Sequence, residues 1–454
     1  MKRGTRVITI NYYQCQELTK MLRSAVYCCF GKFKAIASTP LLVTTLLIFV
    51  TIFCQVSYAD NSQPLSGFAA ALQATLAHNP AVKGKQAEVN AKVYNVDSAK
   101  AGRYPTLSVQ ANNLNDNVDQ GTLRLDQPLW AFGKIDTAIE QAQASVTADQ
   151  WQLLQVKRQL LEETAVAYAN IDGIRQRELI AKNNNAEHQR LHQRISRRSK
   201  GQLASEADVR LSYSRLLQAR TQLQRLQGEL LVAHTGLHAL TQINVDTHEA
   251  VDLTLAALPS LAEVNRLAKV NSANIHFKHQ QLAVVKLTVK SEKLASSPTI
   301  YFRVEHDVFD HGAFVDETRV GLAFESSFEG LGLVAYGRVN GAKSRLEAAK
   351  YDLSVALNEL SRKVNTLMIN RRVQNDLKYS QGLTVEAVEA TMASFLRQYE
   401  TGRKSWVEVL NTQRELTETR LLFSQIKSQW LSLSLKLAAI IGSLDEPAGL
   451  ISHE

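Results

Sequence analysis

The side chains able to coordinate a metal or move a proton are few, and they fall at helical spacing. His188 and His192 stand four apart, as do His234 and His238. Such a pair shares a helix face and can hold zinc. No HExxH motif accompanies either pair and no third ligand stands nearby, so both read as solvated helix-face histidines. Gly330, Gly332 and Gly337 lack the GxGxxG spacing of a phosphate cradle and read as a bend of the chain. All four cysteines, Cys15, Cys28, Cys29 and Cys54, lie within the first 59 residues. Disulfide frameworks, zinc–cysteine sites and thiol nucleophiles are therefore excluded from everything that follows. With no convergent acid, base, nucleophile or metal set, the chain reads as a protein that is not an enzyme and uses no cofactor.

Charge gathers instead at two places. Arg194, Arg197, Arg198 and Lys200 precede Gly201, with Glu206 and Asp208 after it. Tyr399, Lys404 and Glu408 flank Gly402. The basic cluster fits an acidic partner, or a solvated helix end where cations suit the dipole. Lys404 and Glu408, four apart, fit a simple pair on a helix face, and Tyr399 fits a packing residue at a helix end. The residues alone leave those readings open beside a functional one.

Long helices must carry these clusters. No proline lies between Pro128 and Pro259 or between Pro298 and Pro447, and a proline inside a helix costs about 3 kcal/mol. Apolar residues fill the gaps every seven positions: Val146, Leu153, Leu160, Ala167, Ile174, and then Val209, Leu216, Leu223, Leu230, Leu237. The later half repeats this with Leu346, Leu353, Leu360, Leu367, and then Val409, Leu416, Phe423, Trp430, Leu437. Sustained heptads predict helices packed side by side. Gly201 and Gly402 each divide a stretch of roughly 65 residues from one of roughly 40, so the longer arms span on the order of 100 Å. Helical hairpins of that length build a rod or a tube wall.

The chain also repeats itself. PLWAFGKIDTAIEQAQ, Pro128 to Gln143, has a degenerate copy GLVAYGRVNGAKSRLE, Gly332 to Glu347, aligned on Gly133 and Gly337. Both copies follow runs of period two. Pro105 and Pro298 each open a Pro-Thr-aliphatic signature. Leu123 and Leu125 alternate with Arg124 and Asp126, Phe302 and Val304 with Arg303 and Glu305, and Val320, Leu322 and Phe324 with Arg319 and Glu325. An apolar face opposite a charged one suits a membrane barrel with a wet lumen, and equally a soluble sheet packed on one side. Two hairpins, with polar loops at Asn112 to Gly121 and His306 to Asp316, supply four strands. Four strands cannot close a barrel, and lipid tolerates no open edge, so a membrane location requires several chains to share one barrel. Three chains would give twelve strands.

The first 59 residues read as a secretory leader. Lys2, Arg3, Arg6, Lys20, Arg23, Lys32 and Lys34 precede an apolar run, Leu41 to Phe53, and the small-residue site Ser57-Tyr58-Ala59. Cleavage is expected after Ala59, with Met21 an alternative start and an uncleaved anchor the alternative fate. The run is shorter than the ~20 residues of a spanning helix. Removing the leader leaves 45 basic against 42 acidic residues. The basic pI is thus no argument for nucleic-acid binding, and none is expected.

Together these features resemble the TolC family of outer-membrane channel proteins of Gram-negative bacteria. The resemblance rests on QPLWAFGKID from Gln127 to Asp136, its second copy at Ala335 to Asn340, the two repeats, the two glycine-marked tips and the closing segment Leu435 to Leu444. It implies a mainly α fold with a small β part, in which two tandem repeats of strand hairpin and long helical hairpin assemble as a homotrimer. A shared twelve-stranded barrel in outer-membrane lipid would then cap a periplasmic α-helical tunnel. The implied organisation is a leader over residues 1–59, a first repeat over 60–255 and a second over 256–446. Each repeat has strands (about 105–130 and 298–328) and a helical hairpin (about 133–245 and 337–442), and a short tail, 447–454, ends the chain.

The resemblance also implies sites. Tyr399 and Lys404 match closing contacts of a periplasmic gate and Glu408 matches an acidic constriction position. Asn411 stands where the family has a second acid, a departure that weakens any cation trap. Glu206 and Asp208 are the first-repeat candidates. Gly201 and Gly402 mark tips that would meet a periplasmic adaptor, and Pro128, Gly133 and Gly337 the passage from barrel to tunnel. Arg124, Asp126, Arg303, Glu305, Arg319 and Glu325 would face the lumen. The implied partners are the adaptor and an inner-membrane transporter. That transporter would be an ABC protein of type I secretion, since the junction looks like those of channels exporting adhesins and agglutination proteins, or a proton-driven pump of multidrug efflux. A periplasmic or secreted coiled-coil protein, structural or adhesive, is the alternative of another class.

Overall fold

The computed structural model describes residues 67–113, 118–310, 313–327 and 329–450, all within the unit Gln63–Glu454. The expected leader and its cleavage site, the last four residues of the tail and residues 114–117, 311–312 and 328 lie outside the described residues.

Helices α1 (Phe68–His78) and α2 (Pro80–Ala101) come first. Strands β1 (Thr106–Asn113) and β2 (Val118–Trp130) follow, then α3 (Lys134–Lys200) and α4 (Glu206–Thr241). The second repeat runs α5 (Leu261–Asn271), α6 (Ala273–Leu294), β3 (Thr299–Asp310), β4 (Ala313–Glu325), α7 (Leu333–Glu400) and α8 (Trp406–Ile441). The long helices have 67 and 68 residues and their return helices 36 each, so the long arms span about 100 Å at ~1.5 Å per residue.

Sequence reading misses the helices that precede each strand hairpin, α2 and α6. Their start signals are plain in retrospect. The Asn79 side chain accepts from the Ala81 amide ahead of Pro80 at the first helical position, and Ser272 accepts from Ile275. Both are ordinary N-caps. The expected loops are also too long, because β1 and β2 extend to Asn113 and from Val118, and β3 and β4 to Asp310 and from Ala313.

The four strands form one antiparallel sheet in the order β1-β2-β3-β4, and the β2–β3 pairing joins the two repeats. Register slips between Pro128 and Trp130. Proline has no amide hydrogen to give the ladder, so a bulge forms where the strand leaves the sheet.

Among the described residues, the three larger of four apolar clusters hold most of the helices. Phe68, Leu72, Leu161, Tyr168, Leu435 and Leu444 pack α1, α3, α8 and the C-terminal turn together. Val264, Val364, Leu437 and Ile441 seat α5 against α7 and α8. Leu191, Ile195, Met392, Tyr399, Trp406, Val409 and Leu410 close the tip end. Between the first and the last of these clusters Gly173 lets α3 approach α8, since a Cβ there would lie 2.3 Å from Ser428 Oγ.

Candidate functional site: sheet faces and hairpin tips

The sheet has two unlike faces. Register puts Leu107 opposite Leu125, Leu125 opposite Val304, Val304 opposite Val320 and Phe302 opposite Leu322. Among the described residues most of these side chains lie uncovered, with Leu322 73% exposed, as is Val109 on the same face of β1. On the other face Arg124 lies opposite Glu305 and Glu305 opposite Arg319, with Asp126 opposite Arg303 in the next row. Arg303 Nε donates to Asp126 at 2.6 Å, and the same guanidinium reaches Glu325. Arg319 bridges Asp307 at 2.6 Å and Glu305 at 3.4 Å, and Arg124 reaches Glu305 at 3.4 Å. All six residues expected on the lumen thus share one face, joined in two ion-pair groups, Asp126–Arg303–Glu325 and Arg124–Glu305–Arg319. Asp307 belongs to the second group as well, accepting from Thr122 at 2.9 Å, and the same period of two could have found it.

At both junctions from sheet to long helix, successive residues take the left-handed conformation, two at the first and, with Gly330 (φ 58°), three at the second. Phe132 (φ 49°) and Gly133 (φ 81°) precede α3, and Leu331 (φ 54°) and Gly332 (φ 91°) precede α7. Gly332, not Gly337, therefore stands in the place of Gly133. Gly337 is the fifth residue of α7, with nothing near its absent side chain. The AFGKID and AYGRVN likeness misled by matching letters about one turn out of structural step.

The tips show a second correction. Gly201 has φ −88° and its counterpart is Thr401 at −90°. The left-handed residue is Gln202 (φ 58°) in the first tip and Gly402 (φ 75°) in the second. Serines then start both return helices with capping boxes. Asp208 N donates to Ser205 Oγ at 3.1 Å while Ser205 N donates to Asp208, and Ser405 and Glu408 repeat the arrangement. Each box satisfies two backbone donors that a helix start leaves open. The S-x-x-D and S-x-x-E spacing carried that signal.

The candidate gate residues take definite positions around this frame. Tyr399 is buried. Its ring packs 5.3 Å from that of Trp406 and lies under the guanidinium groups of Arg194 and Arg198, at 5.7 and 5.2 Å. Lys404 Nζ donates to Glu408 Oε1 at 2.7 Å and sits 4.4 Å over the Phe395 ring. That ammonium, with the Ser405 amide and hydroxyl on the other carboxylate oxygen, holds the Glu408 carboxyl down to about 2. Glu206 pairs with Arg210 at 2.6 Å, Arg194 with Glu400 at 3.2 Å, and Asn411 is exposed. Among the described residues, every tip carboxylate is thus engaged by a cation or a helix start. Trp406, with its neighbours Arg194 and Arg198 on Tyr399, is the part of the tip that sequence reading did not assemble.

The histidine pairs do not converge. His188 is buried rather than solvated as expected, and burial with the nearby Arg215 charge lowers its pKa, whereas His192 Nδ1 pairs with Ser212 Oγ at 2.9 Å. Among the described residues no group of three or more His, Cys, Asp or Glu is placed to hold a metal ion, and no helix is long and apolar enough to cross a membrane.

No curated protein sequence matches the chain. The profile of the outer membrane efflux protein family matches residues 71–241. Among solved structures, the fold is similar to that of CusC, at 16% identity and a TM-score of 0.72, covering 82% of this chain and 91% of that one. VceC of Vibrio cholerae, an outer membrane protein, has 14% identity and a TM-score of 0.68, with 83% and 96% covered. The CmeC outer membrane channel of Campylobacter jejuni has 12% identity and a TM-score of 0.70, with 85% and 90% covered. At these identities the structural likeness is one of fold. The profile match thus falls on the first repeat, and more than four fifths of the chain is similar in fold to those outer-membrane channels.

Proposed function

We propose that this chain is the outer-membrane exit duct of a tripartite export system in a Gram-negative bacterium. The observation that carries the reading is the four-stranded sheet. It has one largely uncovered apolar face, one face laced with ion pairs, and edges at β1 and β4 that no strand among the described residues covers. In lipid those edges must be paired, and β4 of one copy pairing with β1 of the next does so. Three copies give a twelve-stranded barrel whose apolar side meets lipid and whose ion-paired side faces water. The paired arms of about 100 Å then form a tunnel wall in the periplasm, with their tips toward a periplasmic adaptor near Gly201 and Gly402. Within it Tyr399, Lys404, Glu408, Asn411, Glu206 and Asp208 form the periplasmic gate. A coiled-coil protein without a pore leaves the two-faced sheet without a use.

For cargo, the form of the Gln127 to Asp136 junction supports protein export with an ABC transporter of type I secretion. The efflux name of the matched family supports a second reading, small-molecule efflux with a proton-driven pump. The mature protein, purified in detergent, is expected to run as a trimer and to form channels in planar bilayers. A monomer that neither assembles nor conducts refutes the duct. Deleting the gene separates the cargoes, since loss of a secreted protein at unchanged drug tolerance supports secretion and the reverse supports efflux.

A further inference from the structure

The hairpin tips carry a positive surplus that the remainder of residues 60–454 does not. Between Glu187 and Arg210 six basic residues stand against three acidic ones, and between Arg397 and Glu408 three stand against two. The ion pairs sharpen the imbalance. Glu187 is spent on Arg190, Glu206 on Arg210, Glu400 on Arg194 and Glu408 on Lys404. Asp208 is spent on the start of α4. Arg197, Arg198, Lys200, Arg397 and Arg403 have no carboxylate partner among the described residues, and all but Arg198 are exposed. Helix dipoles do not offset them. Each tip joins the C-terminal end of a long helix to the N-terminal end of its return helix, so the partial charges of the two ends oppose each other. Side chains alone set the field there.

We propose that the periplasmic mouth of the duct is an anion-attracting entrance, admitting anionic cargo and small anions in preference to cations. The inference rests on the duct reading and adds to it the sign of the charge that is favoured. Four surplus positive charges per chain, repeated around a narrow mouth with low-dielectric walls, raise the local concentration of anions. Glu408, the acidic position the family resemblance marks, cannot reverse this while Lys404 neutralises it at 2.7 Å. The sheet face at the far end carries its charges as cross-strand pairs, so its field is largely internal.

The test is the reversal potential of single channels of the mature protein in planar bilayers under a KCl gradient. It is run beside the double variant R197E/R403E, which removes the surplus of four by reversing two exposed arginines without ion-pair partners. The expected result is a chloride-to-potassium permeability ratio above one at low salt, falling toward one as salt screens the tip and abolished in the double variant. A parent channel that favours potassium overturns the proposal, as does a chloride preference that survives the double reversal. Absence of any channel overturns the duct reading and this inference with it. The trimer's mass in detergent, unchanged in R197E/R403E, confirms that the variant is folded.

Discussion

Gly173→Ala is expected to destabilise the helical bundle although alanine is the better helix former. A Cβ at residue 173 would stand 2.3 Å from Ser428 Oγ and 2.6 Å from Ser428 Cβ, and Ser428 sits on the facing helix α8. Overfilling a packed contact costs about 1–3 kcal/mol, while replacing an interior helical glycine by alanine returns about 0.5–1 kcal/mol. The net is a loss of roughly 0–2.5 kcal/mol, centred near 1. Gly228 supplies the opposite case, since it is exposed in α4 and its absent Cβ would meet nothing within 4 Å. There Ala should stabilise by about 0.5–1 kcal/mol. Melting of the detergent-purified protein, followed by circular dichroism, reads both. Ser428→Gly removes the two atoms nearest the new methyl, so G173A/S428G should be less destabilised than the sum of its single variants, as a double-mutant cycle reports. If G173A melts at or above the parent temperature, or the two substitutions add without coupling, the close approach of α3 and α8 is not what holds glycine at 173.

The Glu408 carboxyl, held at about 2 against an ordinary 4.5, contributes stability to the tip that is present above pH 4.5 and lost as pH falls toward 2. Hydrogen exchange at the start of α8 should accelerate in that window, and Lys404→Met, by removing the largest cause, should move the window upward. Arg158 and Asp445 are mostly buried and bridge at 2.5 Å, with Arg158 also donating to the Asn271 carbonyl. Asp445→Ala strands that guanidinium and should cost about 3 kcal/mol, seen as a lower melting temperature and faster proteolysis of the C-terminal turn, whereas a neutral effect would remove the bridge from the anchoring of the tail. Replacing both Tyr399 and Lys404 by alanine should raise single-channel conductance, and unchanged conductance would take them out of the gate.

How much of this was legible in the sequence follows from which forces are local. The long helices announce themselves because heptads and proline-free stretches are properties of contiguous residues. The strand starts at Thr106 and Thr299 were visible behind Pro105 and Pro298 for the same reason. The six charged residues of the two ion-pair groups could be assigned to one face because a strand's period of two is rigid. What stayed hidden needed partners from afar. Arg194 and Arg198 meet Tyr399 across about 200 positions of chain, and Gly173 is explained only by Ser428. The pre-strand helices are a different failure, since Asn79-Pro80 and Ser272 were readable but lacked the strong periodicity that marked the long arms.

The two tips show why letter likeness and structural equivalence part company. From Gly133 and Gly332 to Ser205 and Ser405 the repeats keep an offset of about 200, with matched left-handed residues and matched capping boxes. A turn of this kind needs one residue with positive φ and a side-chain acceptor three residues on. Glycine meets the first need at little cost at Gly402, whereas Gln202 meets it with an ordinary side chain at a penalty of about 1 kcal/mol. The neighbouring Gly201 therefore marks the turn without being its left-handed residue. The invariant that ties the tips together is the serine with its carboxylate, Ser205 with Asp208 and Ser405 with Glu408. In both repeats the same bonds that start the return helix also engage the carboxylate, and with Lys404 beside the second one the free charge at the mouth is left to the arginines and lysines.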